Sequence, residues 1–82
     1  MKALMDSTRT ATAHVADHAM LTPRERLVLH FLSYGYTEQK IAETLGIAYQ
    51  TVRWHNKNIK EKLDSKTNSQ SVAIGFQQGL LI

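Results

Sequence analysis

The 82-residue sequence has no cysteine, one proline, four glycines and only 7% aromatic residues. Without cysteine there is no disulfide, no thiolate metal ligand and no thiol nucleophile. That absence also fits a reducing, cytoplasmic compartment. No run of about 18 uncharged apolar residues occurs, so no segment is expected to span a membrane. The apolar start of the chain breaks at Asp6, short of the roughly 7–15 apolar residues of an export signal. A glycine-rich phosphate loop, a nucleophile beside a base and paired carboxylates in an apolar setting are all missing. The sequence therefore reads as a non-enzyme that needs no cofactor. His14 and His18 stand four apart, but no third ligand accompanies them, and no metal is assigned.

What remains is an ordinary globular composition, 43% hydrophobic and 21% charged, sufficient for one modest core. Ten basic against seven acidic side chains give a net charge of +3. Residues 1–20 hold Lys2, Arg9, Asp6 and Asp17, sum to zero and show no strong apolar period. They read as a flexible leader, with at most a weak helix at 11–19. Residues 21–82 read as one domain that carries the whole excess charge. Five of its basic side chains fall between Arg53 and Lys66.

Four helices are expected from Leu21 onward, with no competing strand. Thr22-Pro23-Arg24-Glu25 combines a capping hydroxyl, a proline at the first helical position and a glutamate three residues after the cap. Val28, Leu29 and Leu32 give this helix its apolar stripe, and Gly35 lies just past its end. Thr37 caps a short second helix that buries Ile41, Ala42 and Leu45 and stops at Gly46. A third helix is expected from Tyr49 to Leu63, with Val52, Ile59 and Leu63 inward. The fourth is expected from Gln70 to Gln78, capped by Asn68 or Ser69, with an apolar, packed C-terminus after Gly79.

A short helix, a glycine-bearing turn and a longer helix form the helix-turn-helix pattern. With Val52 at zero and about 100° per residue, Gln50, Arg53, Trp54 and Lys57 fall at about 160°, 100°, 200° and 140°, away from the core. An amide, a guanidinium, an indole and an ammonium on one face suit groove reading and phosphate neutralisation. Each has a plainer reading: a lone outward Arg or Lys is usually just solvated, and Trp54 can lie over Arg53 or a neighbouring loop. His55 falls at the core edge and is expected to be packed and hydrogen-bonded. Thr37, Lys40 and Thr51 sit at or near helix starts, where hydroxyls and amides suit phosphate. Capping is their alternative role.

Leu21-Thr22-Pro23-Arg24-Glu25-Arg26, Val28-Leu29, Gly35 and Ile41 to Ile47 follow one another at characteristic spacing, as do Thr51 to His55, Lys57-Asn58-Ile59 and Lys62-Leu63. Over residues 21–82 this resembles the LuxR-type (GerE-like) DNA-binding domain of bacterial transcription regulators. The resemblance implies a four-helix domain whose third helix enters the major groove of double-stranded DNA and whose fourth helix pairs with a second copy. It places Arg53, Trp54 and Lys57 in the groove and Lys40 and Thr51 on phosphate. Glu25, Leu29 and Gly35, with the ending Gly79-Leu80-Leu81-Ile82, are similar to the quorum-sensing branch. Three positions depart from the pattern: Ala48 where a serine cap is common, Leu27 where an acid is frequent, and Ile74 where a charge is common.

The reading is thus a sequence-specific transcription regulator that binds a pseudo-palindrome as a homodimer, with Val72, Ile74 and Gln78 in the dimer surface. Leu27 is expected to meet a partner or the leader; for Leu27 and Ile74 alike, the plainer alternative is a scattered apolar residue on the surface. A sensing half is not expected in 82 residues, so the chain reads as a stand-alone regulator or a separated output domain. The rival is a truncated relative that antagonises full-length LuxR-type regulators by heterodimerisation without reading DNA. A sigma-factor DNA-reading region is a second rival, and RNA polymerase is a further expected partner.

Overall fold

The computed structural model describes residues 20–81; residues 1–19, where a flexible leader with His14 and His18 is expected, and Ile82 lie outside the described residues. Four helices and no strand are present among the described residues: α1 (Pro23–Ser33), α2 (Glu38–Leu45), α3 (Tyr49–Leu63) and α4 (Asn68–Gln77). The described residues are all-α, as their periodicity and punctuation predict.

The helix starts follow from local chemistry. Thr22 Oγ1 accepts from the Glu25 amide at 3.1 Å, while Glu25 Oε1 accepts from the Thr22 amide at 2.9 Å, completing the capping box. Thr37 Oγ1 accepts from the Lys40 amide at 3.1 Å and starts α2. Ala48 starts α3 with no side-chain cap at all. At α4 the structure corrects the expected boundary. Thr67, not Asn68 or Ser69, is the cap: its Oγ1 accepts from the Gln70 amide at 3.0 Å, so the helix begins inside the polar stretch. Gln70 Oε1 in turn accepts from the Lys66 amide at 2.7 Å, a near relative of the capping box.

The turns are equally local. Gly46 closes α2 at φ 67°, where a side chain would be strained, and Asp64 takes the same left-handed conformation after α3. Between α2 and α3 only Gly46, Ile47 and Ala48 intervene, which is the compact turn of a helix-turn-helix.

Val28, Leu29, Ile41, Val52 and Ile59 are fully buried, and Leu21, Ala42, Leu63 and Leu81 complete the core. Each large member contributes roughly 1.5–3 kcal/mol by leaving water. α1 packs against α3 and α4, and α2 lies against α3, so the inner faces of all four helices share this one centre. The approach of α1, α4 and the C-terminal segment is close at Gly75. A Cβ there would meet Leu81 Cδ1 at 2.9 Å and Leu29 Cδ2 at 3.0 Å. No helix among the described residues is long and apolar enough to cross a membrane.

Candidate nucleic-acid interface

The outward face of α3 is built by the inward one. Because Val52, Ile59 and Leu63 anchor the helix to the core, Gln50, Arg53, Trp54 and Lys57 are turned outward, and all four are exposed. They line one open groove of about 1210 Å³ that continues along α3 past Lys60 to the start of α4, with Glu38 of α2 on its wall. Trp54 leaves 59% of its surface open, a large apolar group with no packing partner sufficient to hide it. Its ring tilts against His55, with centroids 5.2 Å apart. Arg53 instead lays its guanidinium over Tyr49, 5.9 Å from the ring centroid. Trp54 therefore does not lie over Arg53.

Tyr49 escaped the sequence reading. Its signal was the aromatic–arginine spacing of four on one helix face, which places a cation over a ring one turn away. Tyr49 is 40% exposed and shapes the conformers open to Arg53.

Thr37 and Lys40 are exposed on the first turn of α2, and Thr51 is half-buried on the first turn of α3. Thr37 is engaged as the α2 cap, whereas the uncapped start of α3 leaves its first-turn amides without a side-chain acceptor. Unpaired amides at a helix N-terminus attract anions.

Behind this surface lies a set of buried polar anchors. Glu25, only 3% exposed, accepts from Lys62 Nζ at 2.7 Å and so ties the first turn of α1 to the last turn of α3. Burial is the largest single influence on the Glu25 carboxyl and pushes its pKa up. The hydrogen bond from Lys62, the Thr22 amide and the Lys62 charge together outweigh it, and the pKa lies below the ordinary 4.5. Asn56, 1% exposed, donates through Nδ2 to Glu38 Oε2 at 2.5 Å and joins α3 to α2. His55 is half-buried, but its Nδ1 has no hydrogen-bond partner among the described residues, where a bond was expected. Burial lowers the His55 pKa from 6.5, Glu25 opposes this and Arg24 adds to it.

On α4 the exposed face is centred on Ala73, with Ser69, Gln70, Phe76 and Gln77 around it. Val72 and Ile74 are half-buried, pack against the core and form the two edges of that face rather than its middle; Gln78 is exposed at its end. Phe76, 50% exposed, is the large apolar group there, and the sequence reading passed over it. Leu27 on α1 is 39% exposed, as expected for a surface position.

The family profile described as "Bacterial regulatory proteins, luxR family" (GerE) matches residues 19–75. The transcriptional regulatory protein MctR of Rhizobium johnstonii is 39% identical over 61 residues, which cover 74% of this chain and 28% of that protein. The response regulator VraR of Staphylococcus aureus is 38% identical over 64 residues, 78% of this chain and 31% of VraR. The chain thus spans about a third or less of these relatives. The solved structure of the transcription factor GerE superimposes with a TM-score of 0.72 at 34% identity, covering 76% of this chain and 92% of GerE. VqmA of Vibrio cholerae, described as a dimer, aligns with a TM-score of 0.73 at 31% identity, over 80% of this chain and 31% of VqmA. With its fold, helix-turn-helix and family profile in agreement, the chain belongs to the LuxR family of bacterial regulatory proteins and carries that family's DNA-binding domain.

Proposed function

We propose that this domain reads specific sequences in duplex DNA with α3 in the major groove. Arg53 and Gln50 address base edges, Trp54 and Lys57 line the groove contact, and Thr37, Lys40 and Thr51 meet phosphates on either side. Two copies pair through the Ala73–Phe76 face of α4, flanked by Val72, Ile74 and Gln78, and bind half-sites about one helical turn (~34 Å) apart. The observation that carries this reading is the shared exposure of Gln50, Arg53, Trp54 and Lys57 along one groove. The description of VqmA as a dimer, and of a second VqmA structure as a complex with DNA, supports the pairing and the ligand. Regulation of transcription follows from occupancy of the site.

Selection of bound oligonucleotides, followed by anisotropy titration, tests it. Arg53→Ala is expected to relax base preference and weaken the preferred site by ~1–3 kcal/mol, while Lys40→Ala weakens all sequences alike and lowers the salt slope by about one. An Arg53→Ala protein that binds the preferred site as tightly as wild type sinks the assignment. A pairing-only antagonist of longer regulators predicts no shift of duplex by the purified chain.

A further inference from the structure

A carboxylate stands on the wall of this cationic groove. Glu38 occupies the first position of α2, beside Thr37 and two residues from Lys40, and shares the groove with Gln50, Arg53 and Lys57. A surface that docks a polyanion gains nothing from a negative charge at its edge. A free glutamate there would swing into solvent when a phosphate approached, and the repulsion would relax.

Glu38 is not free. Its Oε2 accepts from Asn56 Nδ2, and Asn56 is 1% exposed, on the buried side of α3. Asn56 Oδ1 is buried with no partner among the described residues, and among them the bond to Glu38 is the one its side chain makes. Turning the amide over would set that oxygen against the carboxylate, which fixes its orientation. An unpaired buried carbonyl is unfavourable, and a leucine would fill the same space without it. What the amide supplies and an apolar residue does not is a fixed position for the carboxylate. Glu38 also belongs to the first turn of α2, the end of a helix to which a phosphate is otherwise drawn.

We infer that Glu38, pinned by Asn56, is an affinity-setting residue that holds down docking of the DNA backbone on the α2 side of the groove. The inference rests on the DNA-facing assignment of α3. A held charge repels every duplex by the same amount, whatever its sequence, so a single domain binds weakly. Tight binding then requires two copies on adjacent half-sites.

Affinities of the full chain for its preferred duplex and for an unrelated duplex of equal length test this across a salt series. Glu38→Gln keeps an acceptor for Asn56 and removes the charge. It is expected to tighten both duplexes roughly three- to ten-fold in about 50 mM salt, with the gain fading as salt rises. Asn56→Leu frees the carboxylate to swing away and is expected to tighten binding in the same direction, whereas a merely structural amide predicts weaker binding. Glu43→Gln removes an exposed charge from α2 that does not line the groove; a gain as large as that of Glu38→Gln shows only a general charge effect and overturns the inference. So does a Glu38→Gln protein with unchanged or weaker affinity. If wild type binds no duplex in dilute salt, the nucleic-acid reading itself fails and takes this inference with it. If wild type binds and Glu38→Gln matches it, only this inference fails.

Discussion

The guanidinium of Arg53 lies over the ring of Tyr49, one helical turn earlier on the same exposed face. The contact couples an arginine assigned to base reading with an aromatic residue that holds it before any ligand arrives. An exposed cation–ring contact contributes ~0.5–1 kcal/mol. Tyr49→Ala is therefore expected to weaken the preferred DNA site two- to five-fold by anisotropy, while Tyr49→Phe, which keeps the ring, stays close to wild type. Equal losses in both variants would show that the ring does not matter.

Ala48 leaves the start of α3 without a side-chain cap, although its backbone (φ −68°, ψ 145°) already has the extended geometry a capping serine adopts. Ala48→Ser is expected to add ~1 kcal/mol of stability. For a domain of this size that corresponds to a rise in melting temperature of about 4–8 °C. An unchanged melting curve would mean that these amides are satisfied by water just as well.

Glu25 holds two positions at once, as the capping-box partner of Thr22 and as the acceptor for Lys62. Its pKa is lower in the folded state than the ordinary 4.5, so it stabilises the fold above that value. The contribution is lost as pH falls through the folded pKa. Glu25→Gln keeps a capping side chain but loses the charged bond, and is expected to cost about 1–3 kcal/mol at neutral pH. In urea unfolding the difference between the two proteins should shrink as pH drops below about 4.5. A constant gap would mean the charge of Glu25 is not what matters.

His55 behaves in the same sense over a different range. Its folded pKa lies below 6.5, so the unfolded chain binds its proton first as pH falls. Its share of stability is present above about 6.5 and is lost as pH falls through the folded value. His55→Gln is expected to flatten the loss of unfolding free energy between about pH 7.5 and 5.5. An identical slope in both proteins would assign the dependence to other groups.

The bounds of α1 and α2 were legible because capping threonine, glycine past the last turn and apolar spacing agreed with one another in each. At α4 they competed: Thr67, Asn68 and Ser69 can all cap, and the choice went to Thr67 because Gln70 stands three residues on, a pairing the sequence displays but apolar spacing ignores. The direction of the α3 side chains followed from one angle per residue, since Val52 and Ile59 fix the helix rotation. The Lys62–Glu25 and Asn56–Glu38 bonds were not legible. They join residues 37 and 18 positions apart, and only the packing of α3 on α1 and α2 brings them together. Half-burial of Val72 and Ile74 was hidden for the same reason, because a helix of mostly small and apolar residues does not announce which side its neighbours cover.

Gly75 has no side chain because Leu81 fills the place where one would stand, against Leu29 of the first helix. The Leu81 side chain is thus a wedge seated where α1 and α4 meet. Trimming two residues from the C-terminus withdraws the wedge, hollowing the core and tilting the surface proposed for pairing in a single stroke.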